Sequence, residues 1–266
     1  MSSMNMKLSF ADEVKQKALE VGFVSVGIAD VHALKDLPYG WVGEVRELYR
    51  PENELPGAKS VIMLAFNTWD RAYSLNVESS SWTNNGVQHQ DSRYAHGSLG
   101  YEVMKNKAWT IVEFLNERGF KARWSLGIPL KTTAVLCGLG AQGKNSLLIT
   151  PEFGPRVFLI AVLTSASLTP DSPFEDDLCK NCDRCIKVCP TRAIESYNPR
   201  IEHCMVYHLE CPDSTNVPDH VKEKSRQLIK RPTSNSYIEC TRCVDVCPIG
   251  KGHESSTQYS PFLNLA

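Results

Sequence analysis

Between positions 9 and 170 the apolar residues fall into two periods, and those periods predict the elements. Ser9 followed by Asp12 forms a capping box that opens a helix through Lys15, Ala18 and Leu19 to Gly22. A short strand, Phe23 to Ile28, follows. The turn Pro56-Gly57-Ala58 then leads into a second apolar strand, Ser60 to Phe66. From Ser98 to Arg118 the residues Leu99, Val103, Met104, Ala108, Ile111, Val112 and Leu115 keep helical spacing, and Gly119 stops that helix. A further helix is predicted from Leu130 to Cys137, a strand from Ser146 to Thr150, and a strongly apolar strand from Val157 to Leu163. These elements read as an α/β domain.

Two stretches lack a period. Trp69 to Gly97 is polar, rich in Ser and Asn, and is expected to be a long loop. Pro170, Asp171, Ser172 and Pro173 form a linker, beyond which cysteine usage changes abruptly. The expected domains are therefore residues 1–170 and 171–266.

Composition narrows the class. Hydrophobic residues make up 42% and charged residues 22%, as in ordinary soluble globular proteins. A formal charge of −1 leaves no electrostatic footprint of a dedicated nucleic-acid binder, so tRNA is not the expected partner. No apolar run has the length of a membrane span. The N-terminus has neither a secretory apolar stretch nor a twin-arginine pair, which places the chain in the cytoplasm. In that compartment ten cysteines argue against a disulfide framework, and nine of them lie after residue 178, as a metal cofactor would require.

Cys179, Cys182, Cys185 and Cys189 stand as C-x2-C-x2-C-x3-C closed by Pro190, the bacterial ferredoxin pattern in which the fourth cysteine ligates the other cluster. A zinc site accounts for pairs of C-x2-C, but not for four cysteines in one run ending in Cys-Pro. Cys240, Cys243 and Cys247, followed by Pro248, form a second motif one cysteine short of a full repeat. If Cys247 crosses over, one [4Fe–4S] cluster has Cys179, Cys182, Cys185 and Cys247. The other then has Cys189, Cys240, Cys243 and either Cys204 or Cys211, which count alone does not separate. Cys137 is expected to be a core thiol.

With these motifs the chain resembles the iron–sulfur, cobalamin-dependent reductases, the group that includes epoxyqueuosine reductases and reductive dehalogenases. The resemblance runs from Pro56 to Pro248. Its most specific part is the turn Gly138-Leu139-Gly140-Ala141-Gln142-Gly143-Lys144-Asn145, continued by the strand through Thr150 to Pro155. It implies an α+β protein, with a nitroreductase-like α/β domain that binds cobalamin ahead of a small ferredoxin-like domain with two [4Fe–4S] clusters. In the family this turn lies against the corrinoid, so Gly138, Leu139, Gly140, Gly143, Lys144 and Asn145 are the implied cofactor contacts. Glycines there let backbone N–H groups approach a bulky ligand. The segment Glu202 to Tyr207 resembles the stretch that supplies the last cluster ligand, which favours Cys204.

The acid–base residues carry over less well. Epoxyqueuosine reductases have an aspartate shortly before the glycine-rich turn, whereas Arg123 to Pro129 holds no carboxylate. Dehalogenases have an arginine where this chain has Phe158, with Arg156 nearby. Tyr101 occupies the position of the dehalogenase proton donor, although a tyrosine at the head of an amphipathic helix also serves as packing. Arg93, Tyr94 and His96 resemble a family loop near the active site, and the basic run Lys222, Lys224, Arg226, Lys230 and Arg231 reads as a solvated helix face.

The expected activity is reduction of a small-molecule substrate by electrons from a low-potential donor such as ferredoxin or flavodoxin, passed through the clusters to a corrinoid. The rival readings are an electron carrier that reduces a partner protein and an epoxyqueuosine-type tRNA-modifying reductase.

Overall fold

The computed structural model describes residues 8–67, 75–78, 81–84, 87–90 and 96–251. The elements in chain order open with α1 (Phe10–Glu20), β1 (Ser25–Asp30), β2 (Gly40–Val42), β3 (Arg46–Leu48), α2 (Pro51–Glu54) and β4 (Ser60–Asn67). Next come β5 (Leu75–Glu78), β6 (Ser81–Asn84), β7 (Val87–Gln90), β8 (His96–Ser98), α3 (Leu99–Asn116), β9 (Ala122–Ser125) and α4 (Leu130–Leu136). They are followed by β10 (Ala141–Gln142), β11 (Leu148–Ile149), β12 (Val157–Thr164), α5 (Arg184–Val188) and α6 (Met205–Glu210), then α7 (Asp219–Leu228), β13 (Ser236–Ile238) and α8 (Arg242–Asp245).

The capping box forms as its residues dictate: the Asp12 N–H donates to Ser9 Oγ at 3.2 Å, and that hydroxyl donates to the Asp12 carboxylate at 2.6 Å. Gly119, at φ +83°, ends the turn after α3.

The central sheet has strand order β1-β4-β12-β9, and every pairing in it is antiparallel. This corrects the α/β reading of the first domain and makes the fold mixed α+β. The apolar runs of β4 and β12 follow from both faces of this antiparallel sheet being covered. Ile62, Leu64 and Phe66 of β4 join Ile160 and Val162 of β12 in a core shared with α1 and α3. Val61, Met63 and Ala65 face the other way, with Leu159, Ala161 and Leu163, toward Ala134 of α4 and Cys137. A strand buried on both faces loses its alternation whatever its neighbours' direction.

The stretch expected to be a bare loop contains β5 to β8. Of these, β5 pairs with β8 on one side and with β13 on the other, so one small sheet joins the first half of the chain to the cysteine-rich half. Arg93 and Tyr94 lie outside the described residues, as does the side chain of His96.

Candidate metal centre and adjoining cleft

Short helices present the cysteines. Cys185 lies in α5 and Cys189 ends it; Cys243 lies in α8, Cys204 caps α6, and Cys240 follows β13. Burial pushes the Cys185 thiol up, and the thiols of Cys179 and Cys182 push it further. Burial likewise raises Cys247, which feels Cys179 and Cys182 while Arg156 opposes the shift. These four make one group. In the other, burial and then the charges of Cys204, Cys240, Cys189 and Cys185 push Cys243 up to about 12. Burial raises Cys240 and Cys204 too, and both feel Cys189. Cys247, last in sequence, thus couples to the first motif and Cys189 to the second, and Cys185 couples to both groups.

Cys211 is set apart. Its thiol is fully buried, and the charges it feels after burial are those of Glu44 and Glu210, not of another cysteine. Cys137 is a core thiol, raised first by burial.

Thiols held this close resist joint ionisation, because each thiolate raises its neighbours. A cationic core relieves the repulsion and draws them all into the thiolate form. Among the described residues no three of these side chains stand at the spacing of a single metal ion, but the eight thiols are the donors that two iron–sulfur clusters take. Two backbone groups already point at the sulfurs: the Ala193 N–H donates to Cys189 Sγ at 3.3 Å, and the Lys144 N–H to Cys179 Sγ at 3.5 Å.

The glycine-rich turn is placed differently from its expected role. A Cβ at Gly138 would meet the Ser172 carbonyl at 2.6 Å, and one at Gly140 the Ile149 carbonyl at 2.2 Å. One at Gly143 would meet Asn145 Oδ1 and the Ile149 side chain, both at 2.7 Å. The chain itself fills the space these glycines leave. Leu139 is a core residue, and Asn145 Oδ1 accepts from the Leu147 N–H at 3.2 Å. Lys144 Nζ donates to the carbonyls of Lys180 at 2.7 Å and Cys182 at 2.9 Å, so this cation serves a cysteine loop.

Near the second cysteine group, five ionisable side chains from separate elements couple electrostatically, a cluster that no sequence motif announces. Arg46 lies in β3, Tyr101 in α3, Lys131 in α4 and Glu210 in α6, and Glu239 precedes Cys240. Burial, then Glu239, pushes the Tyr101 hydroxyl up to about 12, with Arg46 opposing. Burial, then Arg46, lowers Lys131, while the charges of Cys204, Cys243 and Glu210 oppose. Burial raises Glu210 against the pull of Arg46 and Lys131. Burial raises Glu239 to about 7 despite the hydrogen bond from Asn76 Nδ2 to its Oε1 at 2.8 Å. None of the five is fully buried, and Arg46 and Lys131 remain exposed to water. Tyr101 also stacks on Phe158, ring centroids 4.7 Å apart. Glu210 and Glu239 bring two carboxylates to this cluster, from α6 and from the residue after β13.

Arg156 lies just before β12, ahead of every cysteine motif, but reaches the last cysteine loop. Its guanidinium donates to the carbonyls of Ile249 at 2.8 Å, Cys247 at 3.1 Å and Val244 at 3.2 Å.

Fold and cysteine groups together define an iron–sulfur reductase with a double-cluster module. Residues 178–250 match the 4Fe-4S double cluster binding domain. The chain is 31% identical to an epoxyqueuosine reductase of Atelocyanobacterium thalassa (isolate ALOHA), covering 96% of this chain and 84% of that one. It belongs to the epoxyqueuosine reductase family, whose cofactors are two [4Fe–4S] clusters and cobalamin. A crystal structure of epoxyqueuosine reductase with an epoxyqueuosine-modified tRNA-Tyr stem loop shares the fold, with TM-score 0.65 and 21% identity over 91% of this chain and 65% of that one. A catabolic reductive dehalogenase in complex with 3-bromo-4-hydroxybenzoic acid shares it with TM-score 0.59 and 16% identity, over 94% of this chain and 34% of that one.

Proposed function

We propose that this chain is an epoxyqueuosine-type reductase acting on a modified nucleoside of tRNA, rather than a reductase of a free small molecule. The observation that carries the reading is the 31% identity to an epoxyqueuosine reductase over 96% of this chain, joined by the coupling of Tyr101, Lys131, Glu210 and Glu239 near the second cysteine group. The proposed ligands are Cys179, Cys182, Cys185 and Cys247 for one cluster, and Cys189, Cys204, Cys240 and Cys243 for the other.

Reducing an epoxide takes two electrons and two protons. The clusters with cobalamin supply the electrons singly when bound. The chain supplies the rest. Tyr101 keeps its hydroxyl proton through the neutral range and is the proposed donor. Phe158 fixes the ring by stacking. Arg46 and Lys131 pair with Glu210 in the same cluster of side chains. Cys204 and Cys243 are the thiols that couple to Lys131, so a cluster held by the second cysteine group would be the one nearer the reaction, and one held by the first would be nearer a low-potential donor.

The test is conversion of an epoxyqueuosine-containing tRNA stem loop by the cobalamin-loaded protein under a low-potential reductant, followed by mass spectrometry of the nucleosides. Loss of one oxygen or gain of two hydrogens supports the proposal. An unchanged nucleoside, with both clusters shown to be reduced, contradicts it.

A further inference from the structure

The first cysteine group is held from outside its own module by two cations. Lys144 approaches from the strand-turn between β10 and β11: its N–H meets Cys179 Sγ, and its ammonium meets the carbonyls of Lys180 and Cys182. Arg156 approaches from the opposite end of the same group, where its guanidinium gathers the carbonyls of Val244, Cys247 and Ile249. Arg156 is 5% exposed, so its charge acts through protein and not through water. The Asp177 carboxylate, held low first by the Cys179 N–H, feels Lys144, and so does Asp183 after its bond with Lys187. These two acids oppose the cations at the Cys179 end.

A [4Fe–4S] cluster gains one negative charge when it takes an electron, so N–H···S bonds and nearby cations favour its reduced form. We infer that Lys144 and Arg156 are positioning residues by which the chain ahead of the cysteine motifs raises the reduction potential of the cluster on Cys179, Cys182, Cys185 and Cys247. The inference rests on the ligand grouping proposed above. It gives the glycine-rich turn a function that its packed glycines do not otherwise supply. The turn is built tightly so that residue 144 delivers both its N–H and its ammonium to a neighbouring cysteine loop. The cluster at the entry end of the relay accepts its electron more readily as a result, and does so only when the chain ahead of the cysteine motifs is docked on them.

The test is a potentiometric titration of the full chain with dithionite and mediators, followed by electron paramagnetic resonance. It compares Lys144→Gln, Lys144→Met and Lys144→Arg with the unaltered protein, and Lys131→Gln serves as the counterpart at the second group. Two midpoints are expected in the unaltered chain. In Lys144→Gln and Lys144→Met one of them moves to lower potential, so the reduced-to-oxidised ratio of that cluster at the original midpoint falls several-fold. Lys144→Arg keeps both midpoints, and Lys131→Gln moves the other one. Two midpoints that stay fixed in both Lys144→Gln and Lys144→Met overturn the inference alone. Equal movement of both overturns it too, as does loss of one cluster's iron from all three Lys144 variants, which would make the residue a staple only. A single midpoint in the unaltered chain overturns the ligand grouping, and the inference with it.

Discussion

Ile28 and Asp171 bond to each other twice: the Ile28 N–H donates to Asp171 Oδ2 at 2.9 Å, and the Asp171 N–H donates to the Ile28 carbonyl at 2.8 Å. The segment Pro170 to Pro173 is therefore fastened to the edge strand β1, and Lys15 adds an ion pair to the same carboxylate at 2.5 Å. Asp171→Ala leaves the Ile28 N–H without its partner, and a lost hydrogen bond to a charged group costs about 1.5–3 kcal/mol. A thermal scan of the cluster-loaded protein should show a melting temperature lower by several degrees, with visible absorbance per chain unchanged.

Two loops far apart in sequence touch backbone to backbone at Gly154 and Gly250. A Cβ at Gly154 would lie 2.1 Å from the Ile249 carbonyl oxygen, and one at Gly250 would lie 2.1 Å from the carbonyl carbon of Phe153. Both glycines also have positive φ, +58° and +75°. Neither contact can give way as a flexible side chain would. Gly250→Ala is expected to displace the loop that carries Cys247 and to lower cluster occupancy, read as iron per purified chain. Gly57→Ala, where a Cβ meets nothing within 4 Å, should keep full occupancy despite its positive φ.

Cys204 and Cys211 bracket α6 and have opposite surroundings. Cys204 feels the thiol of Cys189, whereas Cys211 is a fully buried thiol facing Glu44 and Glu210. Cys204→Ser should remove about four irons per chain or distort the spectrum of one cluster, and Cys211→Ala should leave the iron content intact.

The hydroxyl of Tyr101 is the only part of that residue the proposed reaction needs, since its ring is held by Phe158. Tyr101→Phe should keep the fold and both clusters while lowering turnover by roughly 10²–10⁴, the range for loss of a positioned proton donor. A hydroxyl pushed up to about 12 gives up no proton to solvent in the neutral range. The rate between about pH 6 and 8 should therefore show no step that Tyr101→Phe abolishes, as a pH series on both proteins would establish.

Much of this was legible in the residues. Helix α1 with its Ser9 cap, the long helix α3 and the strand from Ser60 were all marked by local period, because each buries one stripe or a whole strand. The sheet's direction was not legible, since covering both faces erases the alternation that marks an antiparallel strand. Nor was the pairing of β5 with β13, which joins residues far apart in sequence through backbone groups that every residue carries. At the site, cysteine spacing located the metal centre because the ligand geometry is local. The ionisable cluster is hidden for the opposite reason. Lys131, Glu210 and Glu239 are ordinary polar residues on separate elements, and only the fold brings their charges together. Lys144 was recognised as a special position, but the group it serves is a cysteine loop that only tertiary structure brings near.

The central claim, that one fold holds two cubanes beside a corrinoid, is tested most directly by metal content. The protein would be purified without oxygen from cells supplied with cobalamin, and iron, sulfide and cobalt determined per chain alongside a visible spectrum. The account predicts about eight irons and about one cobalt. Eight irons with no cobalt, even after incubation with cobalamin, would contradict the corrinoid reductase and leave an electron carrier.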